Sequence, residues 1–129
     1  MKLYEVGDLG MLSMADRLSY VRSLASKYNL KESIQNICGE KFYVYCLNPV
    51  CNSHILEWME ELDHVRMATI LRINRVDNVD NKEQLYAYEY KTEYSIRNIE
   101  RRLANYTKQA KEFMIKMKKQ EIENDFKST

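Results

Sequence analysis

The chain has 129 residues and 45% hydrophobic content, enough for one domain with a buried core and too much for wholesale disorder. Its formal charge of +1 hides a split: residues 1–64 hold nine acids against six Lys or Arg, and residues 65–129 hold fourteen Lys or Arg against ten acids. That balance excludes a uniformly basic domain made for nucleic acid. Three cysteines speak against a paired disulfide framework, and no apolar run approaches the roughly 18–20 residues of a membrane helix. Acids in Met1 to Gly10 speak against a secretory signal. The expectation is a cytoplasmic single domain over residues 1–129, with a frayed tail at 119–129.

In chain order, Ser13 is a plausible N-cap with Asp16 three residues on, and Leu18, Val21, Leu24, Ala25 and Tyr28 recur at helical spacing. The spacing predicts a helix over about 14–28, stopped by Asn29. A second, shorter helix is predicted over 31–38, with Ile34, Ile37 and Cys38 inward and Gly39 able to take a positive φ after it. Phe42, Val44 and Cys46 alternate with Tyr43 and Tyr45, which predicts a strand over 41–47.

From Ser53 the spacing of Ile55, Leu56, Met59 and Leu62 predicts a helix, with Glu57, Glu60 and Glu61 on its solvated side. Residues 64–76 alternate and predict a strand. Asp77 to Asn81 is turn chemistry, and 85–93 returns as a strand with Tyr86, Tyr88 and Tyr90 on one face. The last element is the clearest. Ile96, Ile99, Leu103, Tyr106, Ala110, Phe113 and Met117 are spaced 3-4-3-4-3-4, three heptads of a and d positions. The predicted fold class is α+β: N-terminal helices, a small antiparallel sheet of two or three strands, and a long C-terminal helix with an a/d heptad seam.

Cys38, Cys46, Cys51 and His54 place four ligands suited to zinc within 17 residues, although zinc usually draws on two tight pairs. Buried free cysteines are the plainer explanation. A Cys–His nucleophile would also need an orienting group and an oxyanion hole, which nothing in the sequence supplies. There is no glycine-rich phosphate loop and no Gly-x-Ser-x-Gly, so no reaction is expected.

Between Tyr94 and Lys119 there are eight basic residues and two acids. Heptad numbering puts the basic ones on the b, c, f and g positions, outside the seam. The seam itself must be buried, on the chain's own sheet, on a partner helix or on a second copy, because each exposed Leu, Ile or Phe costs roughly 2 kcal/mol. The residues expected to meet a protein partner are Arg97, Arg101, Lys108 and Lys111, with the acidic set Glu57, Glu60 and Glu61. The alternative is a zinc-containing, single-stranded nucleic-acid-binding protein using the Tyr86, Tyr88 and Tyr90 face.

From Met1-Lys-Leu-Tyr-Glu-Val to Lys-Lys-Gln-Glu-Ile-Glu, the whole chain resembles the small RNA polymerase-binding protein of T-even-type bacteriophages. The resemblance implies a non-enzymatic accessory protein that acts in the host cytoplasm, binds host RNA polymerase and is associated with transcription modulation. No short motif carries it, so it assigns no role to any single residue.

Overall fold

The computed structural model describes residues 7–47, 53–75 and 83–127. A 3₁₀ turn at Leu9–Met11 leads into helix α1 (Met14–Lys27). Five strands follow, β1 (Leu30–Ile37), β2 (Glu40–Leu47), β3 (His54–Met59), β4 (Val65–Arg75) and β5 (Glu83–Glu93), and helix α2 (Ile96–Lys127) ends the described chain. The strands form one antiparallel meander in the order β1-β2-β3-β4-β5. This overturns the expectation of several N-terminal helices and a sheet of two or three strands. Among the described residues there are two α-helices and five strands, because both short segments expected to be helical are strands.

The first of these, 31–38, is the outer strand of a hairpin. Cys38 and Gly39 both have positive φ, 53° and 81°, as a two-residue type I′ turn requires. That turn lets Ile37 pair with Glu40 and carries the register unbroken to Leu30 opposite Leu47. An eight-residue helix is marginal on its own, whereas a strand here gains a full ladder from β2. Gly39 therefore serves the turn and not a helix end.

The second, from Ser53, misleads because of a bulge. Tyr45 pairs with Leu56 but Cys46 pairs with His54, so Ile55 is an extra residue in β3. The neighbours Ile55 and Leu56 are both fully buried, which breaks the alternation expected of a strand and mimics helical spacing. Leu56 and Trp58 then alternate normally toward the core, Trp58 tilted against Tyr43 with ring centroids 5.5 Å apart.

α1 forms as the sequence indicates. Ser13 accepts a hydrogen bond from the Asp16 amide at 3.2 Å, and Asn29 takes φ 53° just past the helix end. Arg17 fastens its start by donating to the carbonyls of Leu12, Gly10 and Glu61 at 3.1, 3.0 and 2.9 Å.

α2 lies along the sheet. Ser95 caps it by accepting from the Asn98 amide at 3.3 Å. Ile96, Ile99, Leu103, Tyr106, Ala110 and Phe113 are all buried against Tyr43, Tyr45, Leu56, Trp58, Met67, Leu85 and Ala87. The helix does not stop with its seam; it continues from Met117 to Lys127. Both helices cover the same side of the sheet. Arg22 of α1 reaches Glu32 of β1 at 3.1 Å, and Tyr28 donates to the Glu100 carboxylate of α2 at 3.0 Å.

Two measurements check this packing. Leu103→Ala removes a fully buried seam residue and should cost about 2–5 kcal/mol in urea unfolding. Burial pushes the phenols of Tyr20 and Tyr45 far above their ordinary range. Their contribution is intact below the unfolded-state value of about 10, and is lost above it as the unfolded chain ionises while the folded one does not. Stability should then fall by about 1.4 kcal/mol per pH unit for each phenol, and Tyr20→Phe with Tyr45→Phe should flatten that alkaline decline.

Candidate functional site

The a/d seam fixes which side of α2 faces outward. With 3.6 residues per turn, the b, c and f positions lie opposite it. From 97 to 119 these read Arg97, Asn98, Arg101, Ala104, Asn105, Lys108, Lys111, Glu112, Ile115, Lys118 and Lys119. Six of the eleven are cations and one, Glu112, is an acid, along roughly 30 Å of helix. Arg97, Arg101, Lys108 and Lys111 are all exposed. Arg101 donates to Asn98 at 3.1 Å, so it is held along the helix and stays accessible. Not every cation of α2 belongs to this stripe. Arg102 lies 3.8 Å from Glu93 and Lys116 3.7 Å from Glu83, both turned toward the sheet.

The acidic residues grouped with that stripe in the sequence do not form a helical face. Glu57 lies on β3, half-buried, with its carboxylate 3.4 Å from His54 Nδ1 and 3.9 Å from Arg66. Glu60 follows the strand end, where its amide donates to the Lys41 carbonyl at 3.0 Å. Glu61 sits in the next turn at φ 80°, offering its carbonyl to Arg17. The three acids are spread over a strand face and a turn.

The cysteines are also separated. Cys38 occupies the exposed β1–β2 turn, while Cys46 lies eight residues along β2, roughly 26 Å away at strand rise. One ion cannot bind both. Cys51 lies outside the described residues. Cys46 and His54 are direct register partners, and Glu57 stands beside His54. Burial nevertheless pushes the Cys46 thiol up, the opposite of what a nucleophile needs. No group of three His, Cys, Asp or Glu side chains able to hold a metal occurs among the described residues.

Leu85 and Ala87 are buried in the core under α2, so alternation turns Tyr86 and Tyr88 to the other side. Tyr90, beyond Glu89 at φ 55°, is half-buried, packs against the core and donates its hydroxyl to the His54 carbonyl at 2.5 Å. The register partners of Tyr86, Tyr88 and Tyr90 are Arg72, Ile70 and Ala68 of β4. No described helix covers this face. Arg66 sits over the Tyr90 ring at 5.0 Å and Arg72 over the Tyr88 ring at 6.0 Å. Neither arginine was singled out from the sequence, although the alternation of 64–76 placed both on one face.

Comparison with family models, curated proteins and solved structures finds no match. No helix among the described residues is long and apolar enough to cross a membrane.

Thiol labelling tests the placement of the cysteines. Cys38, exposed in its turn, should react with a maleimide at least about tenfold faster than half-buried Cys46, read by peptide mass on the folded protein.

Proposed function

We propose that this chain is a non-enzymatic accessory protein that binds bacterial RNA polymerase and modulates transcription, with the outer stripe of α2 as its docking surface. The observation that carries the reading is the run of cations on the outward face of α2, with Glu112 as its one acid, directed away from the core. The resemblance to the phage polymerase-binding protein supplies the identity of the partner. Buried seam residues hold the stripe straight, so partner binding need not order it first, and the entropic cost of docking is small.

Such a surface suits an acidic patch on a larger protein. Rim charges of this kind accelerate encounter and fix orientation more than they add affinity. On this reading the protein works in the bacterial cytoplasm, where its partner is. Glu57 is withdrawn from the docking surface, since it is engaged with His54 and Arg66 on the far side of the sheet.

The test uses purified core RNA polymerase, with nuclease present throughout. The wild-type chain should co-migrate with the enzyme, and rising salt should weaken the complex. Arg97→Glu, Arg101→Glu and Lys108→Glu together should reduce affinity about tenfold or more while leaving the melting temperature unchanged. A wild-type chain that ignores polymerase would sink the proposal. A triple variant that binds as well as wild type would remove α2 from it.

A further inference from the structure

The β4–β5 hairpin outruns the rest of the sheet. β3 pairs with β4 only at Leu56–Met67 and Glu57–Arg66, whereas β4 and β5 stay paired out to Arg75 and Glu83. Among the described residues the hairpin beyond Ala68 is thus a two-stranded ribbon, backed on one side by α2 and bare of any described helix on the other.

On the open side β4 presents Arg66, Ala68, Ile70, Arg72 and Asn74, and β5 presents Gln84, Tyr86, Tyr88, Tyr90 and Thr92. These ten positions hold two cations, three tyrosines and no carboxylate, with the β3 carboxylate of Glu57 3.9 Å from Arg66 at their edge. Ala68 is buried in the core and Tyr90 packs against it, so the exposed part of this surface is Tyr88 with Arg66, Arg72 and Asn74, and Tyr86 is half-buried beside it. Tyr88 is 37% exposed, a large value for a strand tyrosine that would otherwise serve a core. Asn74 donates to its hydroxyl, and Arg72 spans the gap between them. The ring is therefore steadied at its rim while its edge and part of its face stay accessible.

We propose that this outward face of the β4–β5 hairpin binds single-stranded nucleic acid, its bases stacking on the tyrosines and its phosphates meeting Arg66 and Arg72. Every base has a flat face that can stack on Tyr, and the guanidinium planes above Tyr88 and Tyr90 extend the same stack. Successive tyrosines on one face are about 6.6–6.8 Å apart by strand rise, close to the spacing of phosphates along an extended single strand. A duplex hides its base faces and gains nothing from such a ribbon. The site is separate from the cationic stripe of α2, which lies on the far side of the helix layer, and no zinc enters it.

The experiment is fluorescence anisotropy with labelled oligonucleotides of about 20 residues, one of deoxythymidine and one of uridine, beside a duplex of equal length. Single strands should bind and the duplex should not. The ratio of the two single strands tells whether DNA or RNA is preferred. Tyr88→Ala should weaken binding roughly tenfold, while Tyr88→Phe, which keeps the ring, stays within about twofold of wild type. Arg66→Gln with Arg72→Gln should flatten the logarithmic salt slope by about 1.4. The triple α2 variant should bind oligonucleotide as wild type does, which keeps this proposal distinguishable from the polymerase reading.

Absence of binding at low salt, equal binding of duplex, or an unaffected Tyr88→Ala would each overturn the assignment. So would loss of binding in the α2 variant, which would move the site to the helix. Self-association abolished by Tyr88→Ala, with no oligonucleotide bound, would give the face to a second copy of the chain.

Discussion

Everything in this structure depends on the burial of one seam. Six apolar residues at a and d positions of α2, from Ile96 to Phe113, have to leave water, and the curved inner face of the sheet receives them. At roughly 2 kcal/mol for each large side chain, this burial is a large contribution to the fold. Its consequences are geometric. Once the seam is committed inward, the b and f positions must face outward, and so must whatever the sequence placed on them. Once α2 and α1 occupy one side of the sheet, the described residues hold no further helix to cover the other.

Polar contacts then fix the details of that arrangement. Tyr106 reaches from the seam to the Ala68 carbonyl, anchoring α2 at the point where β4 leaves β3 behind. Glu100 draws Tyr28 and Lys27 of α1 toward α2, and Glu32 collects Tyr45 and Arg22 at the β1 edge. Each of these carboxylates has a cation and a phenol as company, so neither is left buried without a partner. Tyr28, Tyr45 and Tyr106 fill volume beside the helix layer with their rings while their hydroxyls find an acceptor, whereas the buried Tyr20 hydroxyl has none.

What the sequence disclosed follows from how directly each element is encoded. The seam of α2 and the alternation of β4 and β5 run long enough to give the right element in each case, and the seam gives with it the outward direction of Arg97, Arg101, Lys108 and Lys111. β3 was illegible because one extra residue, Ile55, puts two buried side chains in succession; its register depends on β2, which lies elsewhere in the chain. β1 was illegible because its apolar residues Ile34 and Ile37 are 46% exposed at a sheet edge, so their spacing records no burial at all. The acidic trio failed with β3, since it existed only as a face of the expected helix. Similarly, proximity of cysteines along the chain said nothing about distance, because an extended strand separates Cys38 from Cys46 by its full length.

The cations show how a structure sorts what composition only counts. Arg17 is spent on three backbone carbonyls, and Arg22 and Lys27 on carboxylates between layers. Arg102 and Lys116 lean back to the sheet. Among the described residues two outward groups stand on opposite layers, the α2 stripe and, among the tyrosines, Arg72 with the Glu57-paired Arg66. The first has length and charge without aromatic rings, which suits an acidic protein surface. The second has rings and charge together, which suits a polyanion with flat bases. Because the sheet and the helix layer separate them, no flat partner can touch both at once. The two surfaces are therefore separate, and on the two proposals the polymerase sits on one layer and the unpaired strand on the other.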